Sequence, residues 1–225
     1  MIKAVVFDLD DTLFLESDYV QTGFACVEEY ISKNYSVDVK KGLLYDLFLK
    51  DKRNVYDRAL DSLGINYTKS DMEKLVDIYH NHIPRGIKLT DGALEVLKHL
   101  KTSGYKLGMI TDGRPVGQNN KIDCLGIRDL FDKIIITDDL GIEFRKPNEK
   151  AFTLMAQTLG VKYEEMVYIG DNATKDFAVM KKLPIKTIQF IHHNRIYSIG
   201  EYLFGIKPIK IITCYKQLID TIGEL

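Results

Sequence analysis

The 225 residues include 31 lysines and arginines against 32 aspartates and glutamates, and 45% of the chain is hydrophobic. That length fits one large domain or a core with an insertion. A net charge of −1 offers no general attraction to nucleic acid or to an anionic membrane surface. No apolar run approaches the roughly 18 residues of a membrane span, and Ala4 to Phe7 is too short for a secretory leader, so the cytoplasm is the expected location. Cys26, Cys124 and Cys214 are far apart, without a CxxC pair. They read as buried thiols rather than a disulfide framework or zinc site.

Taken in chain order, the first element is the β-branched apolar run Ala4 to Phe7. Comparable runs follow at Lys106–Thr111, Lys133–Thr137, Met166–Ile169, Lys186–Phe190 and Ile209–Thr213. Continuous apolar runs of this length predict strands buried on both faces, as in a parallel sheet. The segment from about Leu15 to Pro84 has no such run. Instead Val20, Phe24, Val27 and Ile31 recur at helical spacing, then Leu43, Leu44, Leu47 and Phe48, then Val55, Leu60 and Leu63, then Met72, Leu75, Val76 and Tyr79. These spacings predict four helices in a small bundle. Beyond it, Ala93, Val96, Leu97 and Leu100 share a helical face before Gly104. Pro115 is suited to open a helix that closes at Gly126. Asn148 can cap a helix carrying Ala151, Phe152, Met155 and Leu159. Alternating strands and helices imply an α/β, doubly wound, Rossmann-like parallel sheet core with an inserted helical bundle. The expected division is a core of residues 1–14 and 86–225 and a helical unit of residues 15–85.

Carboxylates gather at the expected strand ends, where open parallel sheets bind ligands. Asp8 and Asp10 follow the first strand and, on an extended backbone, point the same way. Crowded carboxylates repel and need a cation or a proton, although a polar turn would have the same sequence. Thr111-Asp112-Gly113 ends the second strand, where a hydroxyl and a free N–H could hold a phosphate oxygen, and also spells a common turn. Lys146 precedes a helix. Gly170-Asp171-Asn172 ends the fourth strand, with Asp176 beyond it. If the first and fourth strands are neighbours, their carboxylates form an oxygen site suited to magnesium.

With these residues in place the chain resembles the haloacid dehalogenase-like hydrolase superfamily. Its DxDxT motif stands as Asp8, Asp10 and Thr12, its strand-end threonine as Thr111, its lysine as Lys146, and its GDxxxD motif as Asp171 and Asp176. The helical insertion resembles the cap of the family's helical-cap phosphatases. The resemblance implies a magnesium-dependent phosphatase that forms an aspartyl-phosphate on Asp8. Asp10 would be the general acid and base, with Thr111 and Lys146 completing the catalytic set. It implies substrate contacts from Thr12, Thr111, Asp112, Lys146 and Asn172, and Mg2+ bound at Asp8, Asp10, Asp171 and Asp176, with Asp10 acting through its backbone carbonyl. Dehalogenase and phosphonatase members lack an acid at the position of Asp10, so its presence disfavours both chemistries. A sugar phosphomutase of the same superfamily retains that acid and stays open, as does a catalytically idle regulatory protein.

A cap over the site implies a small phosphorylated metabolite as partner, no nucleic acid or membrane, and a monomer or homodimer. Hinges are expected near Phe14–Glu16 and Ile83–Gly86. Tyr19, Phe24, Lys52, Arg53, Tyr56 and Arg58 are candidate specificity residues in the cap. His80 and His82 lack a third ligand and read as packing or surface residues. The stretch Met180 to Pro184 lacks a glycine usual before the fifth strand. His192-His193-Asn194-Arg195 reads as a solvated loop, with a rim to the site as the alternative.

Overall fold

Four consecutive buried residues, Ala4–Phe7, form β1, and alternation along the strand divides them between two cores. Val5 and Phe7 pack with Leu107, Met109, Val167 and Ile169 on one face. Ala4 and Val6 pack with Ile110, Met166 and Tyr168 on the other. In the computed structural model, which describes residues 1–198 and 200–225, β1 is joined by β2 (Lys106–Thr111), β3 (Lys133–Ile136), β4 (Met166–Gly170), β5 (Lys186–Phe190) and β6 (Lys210–Ile212). Every pairing is parallel, and the order is β3-β2-β1-β4-β5-β6. Phe7 stands in register with Met109 on β2 and Ile169 on β4. The segments after β1, β2 and β4 therefore emerge side by side.

The four helices between β1 and β2 are α1 (Glu16–Tyr35), α2 (Leu43–Lys50), α3 (Val55–Ser62) and α4 (Lys69–Asn81). They enclose a third core of Val20, Phe24, Val27, Ile31, Leu44, Leu60 and Leu75. Thr68 and Asp71 form a capping box at the start of α4. Glu28 crosses from α1 to accept the Gly42 and Leu44 N–H groups at 2.9 and 2.8 Å, satisfying donors that a helix start leaves free.

The remaining helices cover the sheet: α5 (Ala93–Thr102), α6 (Pro115–Leu125), α7 (Lys150–Leu159) and α8 (Tyr215–Glu224). Pro115 opens α6 and Gly126 ends it in the left-handed region, as the sequence predicts. Asn148 Oδ1 accepts from Lys150 N at 2.9 Å, although Asn148 stands one residue before the N-cap position, which Glu149 takes. After Asp176 there is only a short 3-10 turn, Ala178–Lys181, before Pro184 and β5. The chain end supplies the sheet's sixth strand and α8, whose Tyr215 stacks on Phe190 with ring centroids 4.6 Å apart. The expectation of three buried thiols is corrected: Cys124 and Cys214 are exposed. Gln118, Lys121 and Ile122 take the inner face of α6 and leave Cys124 outside. No helix among the described residues is long and apolar enough to cross a membrane.

Candidate active site

Asp8 continues the phase of Ala4 and Val6 and so falls on the face that carries Tyr168. Its carboxylate, 3% exposed, lies 2.8 Å from Lys146 Nζ. The same ammonium meets Asp176 Oδ1 at 2.9 Å and donates to Tyr168 Oη at 2.8 Å, so its three protons each have an acceptor. Burial works against a charge on Lys146, but Asp176 and Asp8 outweigh it and hold its pKa well above the ordinary lysine value. Burial pushes Asp8 up to about 6, with Lys146 pulling the other way. Asp176 Oδ2 accepts from Asn172 N at 2.8 Å. Gly170 makes this approach possible, because a Cβ there would stand 2.7 Å from Asp176 Cγ.

Asp171 completes the group. Ligand oxygens of Asp8, Asp171 and Asp176 lie within 4.8 Å of one another. Burial and the charges of Asp176 and Asp8 hold Asp171 well above the usual carboxylate range. Among the described residues no cation reaches it within ion-pair distance, whereas Asp8 and Asp176 share Lys146. An all-oxygen donor set with one uncompensated carboxylate suits a hard divalent cation. The residues present therefore fit such an ion.

Beyond Asp10 the chain turns: Asp11 takes φ 51° and Leu13 N donates to Leu9 O at 2.9 Å. Asp8 and Asp10 meet different cations. Lys121 Nζ sits 2.6 Å from Asp10 Oδ1, and Gln118 Nε2 donates to Oδ2 at 2.9 Å. Gln118 Nε2 also donates to Thr111 Oγ1 at 2.5 Å, and Lys121 donates to Gln118 Oε1 at 2.7 Å. One buried network thus ties the end of β2 to Asp10, and the Asp10 side chain lies outside the Asp8–Asp171–Asp176 group.

Asp112 accepts from Thr137 Oγ1 at 2.8 Å and Lys146 N at 3.1 Å, and pairs with Lys175 at 3.1 Å. Burial opposes its charge, but Lys146 and Lys175 hold its pKa below the usual range. Two further residues expected to touch substrate have these surroundings. Thr12 is fully buried, its Oγ1 has no partner among the described residues, and its backbone carbonyl accepts from Tyr215 Oη. Asn172 spends its Oδ1 on Thr174 N and Oγ1, at 2.9 and 2.6 Å, shaping its own turn.

A cavity of about 270 Å3 opens beside Asp10 and Asp112, between the sheet end and the helical insertion. Its walls include Glu16, Tyr19, His80, Arg114, Gln118 and Lys121. Tyr19 alone of the expected cap residues lines it. Phe24, Lys52 and Tyr56 line a neighbouring pocket, and Arg53 pairs with Asp51 at the surface. Arg58 donates to Leu47 O at 3.1 Å. Lys52 reaches the segment after β5, donating to Ile196 O at 3.3 Å and lying 3.6 Å from the Tyr197 ring centroid. His82 is buried, between Thr22 Oγ1 at 3.0 Å and Tyr79 O at 2.6 Å.

Residues 5–190 match the model of the haloacid dehalogenase-like hydrolase family. The chain belongs to that family. This hydrolase is 31% identical over 197 residues to a glyceraldehyde 3-phosphate phosphatase of Methanocaldococcus jannaschii, covering 85% of this chain and 86% of the relative. It is 32% identical to a glyceraldehyde 3-phosphate phosphatase of Methanopyrus kandleri, covering 100% and 99% of the two chains. Its fold is shared with a 2-haloacid dehalogenase from Pseudomonas syringae pv. Tomato DC3000, at a TM-score of 0.67, 22% identity, and coverage of 100% of this chain and 99% of that one.

Four polar residues of the site have no counterpart in the motif reading: Gln118, Lys121, Lys175 and Glu16. Gln118 and Lys121 are three apart on α6, so they share a face. That spacing is visible in the sequence, but nothing in it says that the face is turned toward Asp10.

Proposed function

We propose that this hydrolase is a magnesium-dependent phosphatase of small phosphate monoesters that works through an aspartyl-phosphate on Asp8. The observation carrying this reading is the separate handling of two neighbouring acids. Asp8 is buried against Lys146 at 2.8 Å, while Asp10 is held by Lys121 and Gln118 at the edge of the cavity. That arrangement supports a covalent role for Asp8 and a proton-transfer role for Asp10.

In this mechanism an Asp8 oxygen attacks phosphorus and the bond to the ester oxygen breaks. Asp10 delivers a proton to the departing alkoxide. Asp10 then takes a proton from the water that attacks phosphorus, and inorganic phosphate leaves as Asp8 is restored. Lys146 stabilises negative charge on Asp8 and on the transferring group. Thr111 and the backbone at Asp112 hold phosphate oxygens. Asp8, Asp171 and the Asp10 carbonyl would bind Mg2+, with Asp176 supporting them, and the ion would offset repulsion between the nucleophile and a phosphate dianion. The relatives' names, the cavity of about 270 Å3 and the helical insertion all support a small phosphorylated metabolite as substrate. A monomer or a homodimer, working in the cytoplasm, agrees with this reading.

The test is phosphate release from a broad panel of esters with Mg2+. Wild type should turn over at least one ester, EDTA should abolish turnover, and Asp8→Asn should lower the rate on the order of a thousandfold or more. Undiminished turnover after complete chelation would sink the mechanism.

A further inference from the structure

Most charges around the cavity are matched. Lys121 is paired with Asp10, Arg145 with Asp138 at 2.6 Å, and Asp112 with Lys175. Among the described residues, Glu16 and Arg114 line the cavity with neither an ion pair nor a side-chain hydrogen bond. They are not equivalent. Arg114 is exposed, where water and salt screen it. Glu16 is half-buried at the first turn of α1, and its carboxylate faces the cavity beside Asp10. Burial, Asp10 and Asp11 all disfavour a charge on it and carry its pKa up to about 7, with Lys121 opposing them.

We propose that Glu16 is a specificity-determining residue that hydrogen-bonds a hydroxyl on the substrate's carbon chain, so that the preferred substrates are phosphate esters of small neutral hydroxylated compounds and phosphorylated carboxylic acids are rejected. The inference rests on the phosphatase reading above. Asp10 marks where the ester oxygen lies, so Glu16, which feels Asp10 most strongly among its charged neighbours, faces the carbons next to that oxygen. A hydroxyl can donate to Glu16 as a carboxylate and accept from it as a carboxylic acid, so the contact survives either state. A substrate carboxylate in the same place would meet Glu16, and Asp10 already has its charge matched by Lys121. Arg114, the unpaired cation of the wall, stands exposed to solvent and offsets little of that repulsion. An ester without the hydroxyl leaves Glu16 desolvated and unpaired, which a site built around a polar group punishes strongly.

Three esters of three-carbon chains separate these effects: glycerol 3-phosphate, propyl phosphate and 3-phosphoglycerate. With Mg2+, wild type should show kcat/KM for glycerol 3-phosphate on the order of 100-fold above propyl phosphate, and about tenfold or more above 3-phosphoglycerate. Glu16→Leu should bring both ratios toward one. Glu16→Gln should keep the preference over propyl phosphate, because the amide still hydrogen-bonds, and lose the preference over 3-phosphoglycerate, because the repulsion is gone. Equal ratios in wild type and Glu16→Leu would overturn the proposal, as would a wild type that prefers 3-phosphoglycerate. If Glu16→Leu fails to fold, the wild-type ratios and Glu16→Gln decide. Failure of the underlying reading looks different: wild type would then release phosphate from no ester at all.

Discussion

Two groups of carboxylates flank the turn after β1, and they live under different rules. On the inner side, Asp8 and Asp176 are buried and share an equally buried lysine, with Tyr168 filling the third position around its ammonium. On the outer side, Asp10 is 21% exposed, paired with a lysine from α6, and Glu16 beside it has no partner among the described residues. On the inner side Lys146 satisfies Asp8 and Asp176, and Asp171 beside them is left for a cation from outside the protein. The outer group leaves one polar valence for something that is not protein. A buried charge network of the first kind is intolerant of change, because removing one member strands the others. In the second kind a member that loses its partner can turn to solvent at less cost to the fold.

The contrast makes Lys146→Met the most damaging of the lysine changes. It strands Asp8 and Asp176 in a buried site, so urea unfolding should show a loss of about 3–5 kcal/mol. Phosphate release should fall on the order of a thousandfold. Lys121→Met should behave differently, although its ion pair is the shorter of the two. Asp10 can turn toward water, so the loss of stability should stay near 1 kcal/mol. Its kcat should still fall roughly 10- to 100-fold as the proton-transfer group loses its position. Equal destabilisation by the two substitutions would erase the distinction between the groups.

The smallest effect is the most particular to the outer group. The pKa of Glu16 is raised from 4.5 to about 7 in the folded protein. Folded protein therefore holds this proton more tightly than unfolded chain, and the associated stability is present below pH 4.5 and lost as pH rises through 7. Replacing Glu16 by Gln removes that loss. Melting curves across pH should show Glu16→Gln gaining on wild type between pH 4.5 and 7, with a constant gap above that range. A gap that does not change with pH would show that Glu16 is relaxed in the fold and not under electrostatic pressure.

The inner group and Asp10 were legible in the sequence and the neighbours of Asp10 were not, for a physical reason. Asp8, Thr111 and Asp171 follow strands whose apolar runs announce them, and parallel register then brings them together. Pro115 and Gly126 marked α6, and four apolar periodicities marked the helices of the insertion. Lys121 and Gln118 escaped notice because a polar helix face reads as solvated until its neighbour is known. The cap candidates were chosen by charge and aromaticity, yet Arg53 pairs with Asp51 just after α2, Arg58 reaches from α3 to the last turn of α2, and Lys52 crosses to another segment.

That crossing by Lys52 bears on motion. The insertion lies between β1 and the α5–β2 stretch, so two segments of chain join it to the sheet. The contact of Lys52 with Ile196 O and the Tyr197 ring adds a noncovalent tether at a third place. A swing of the helices away from the sheet end has to release it. Because both partners are anchored in one chain, the tether re-forms at a high effective concentration. An exposed cation–π contact contributes about 0.5–1 kcal/mol, enough to shift a two-state balance about two- to fivefold. Should the helices swing, a tether of that strength would work as a return spring, favouring the position seen here while leaving the passage free.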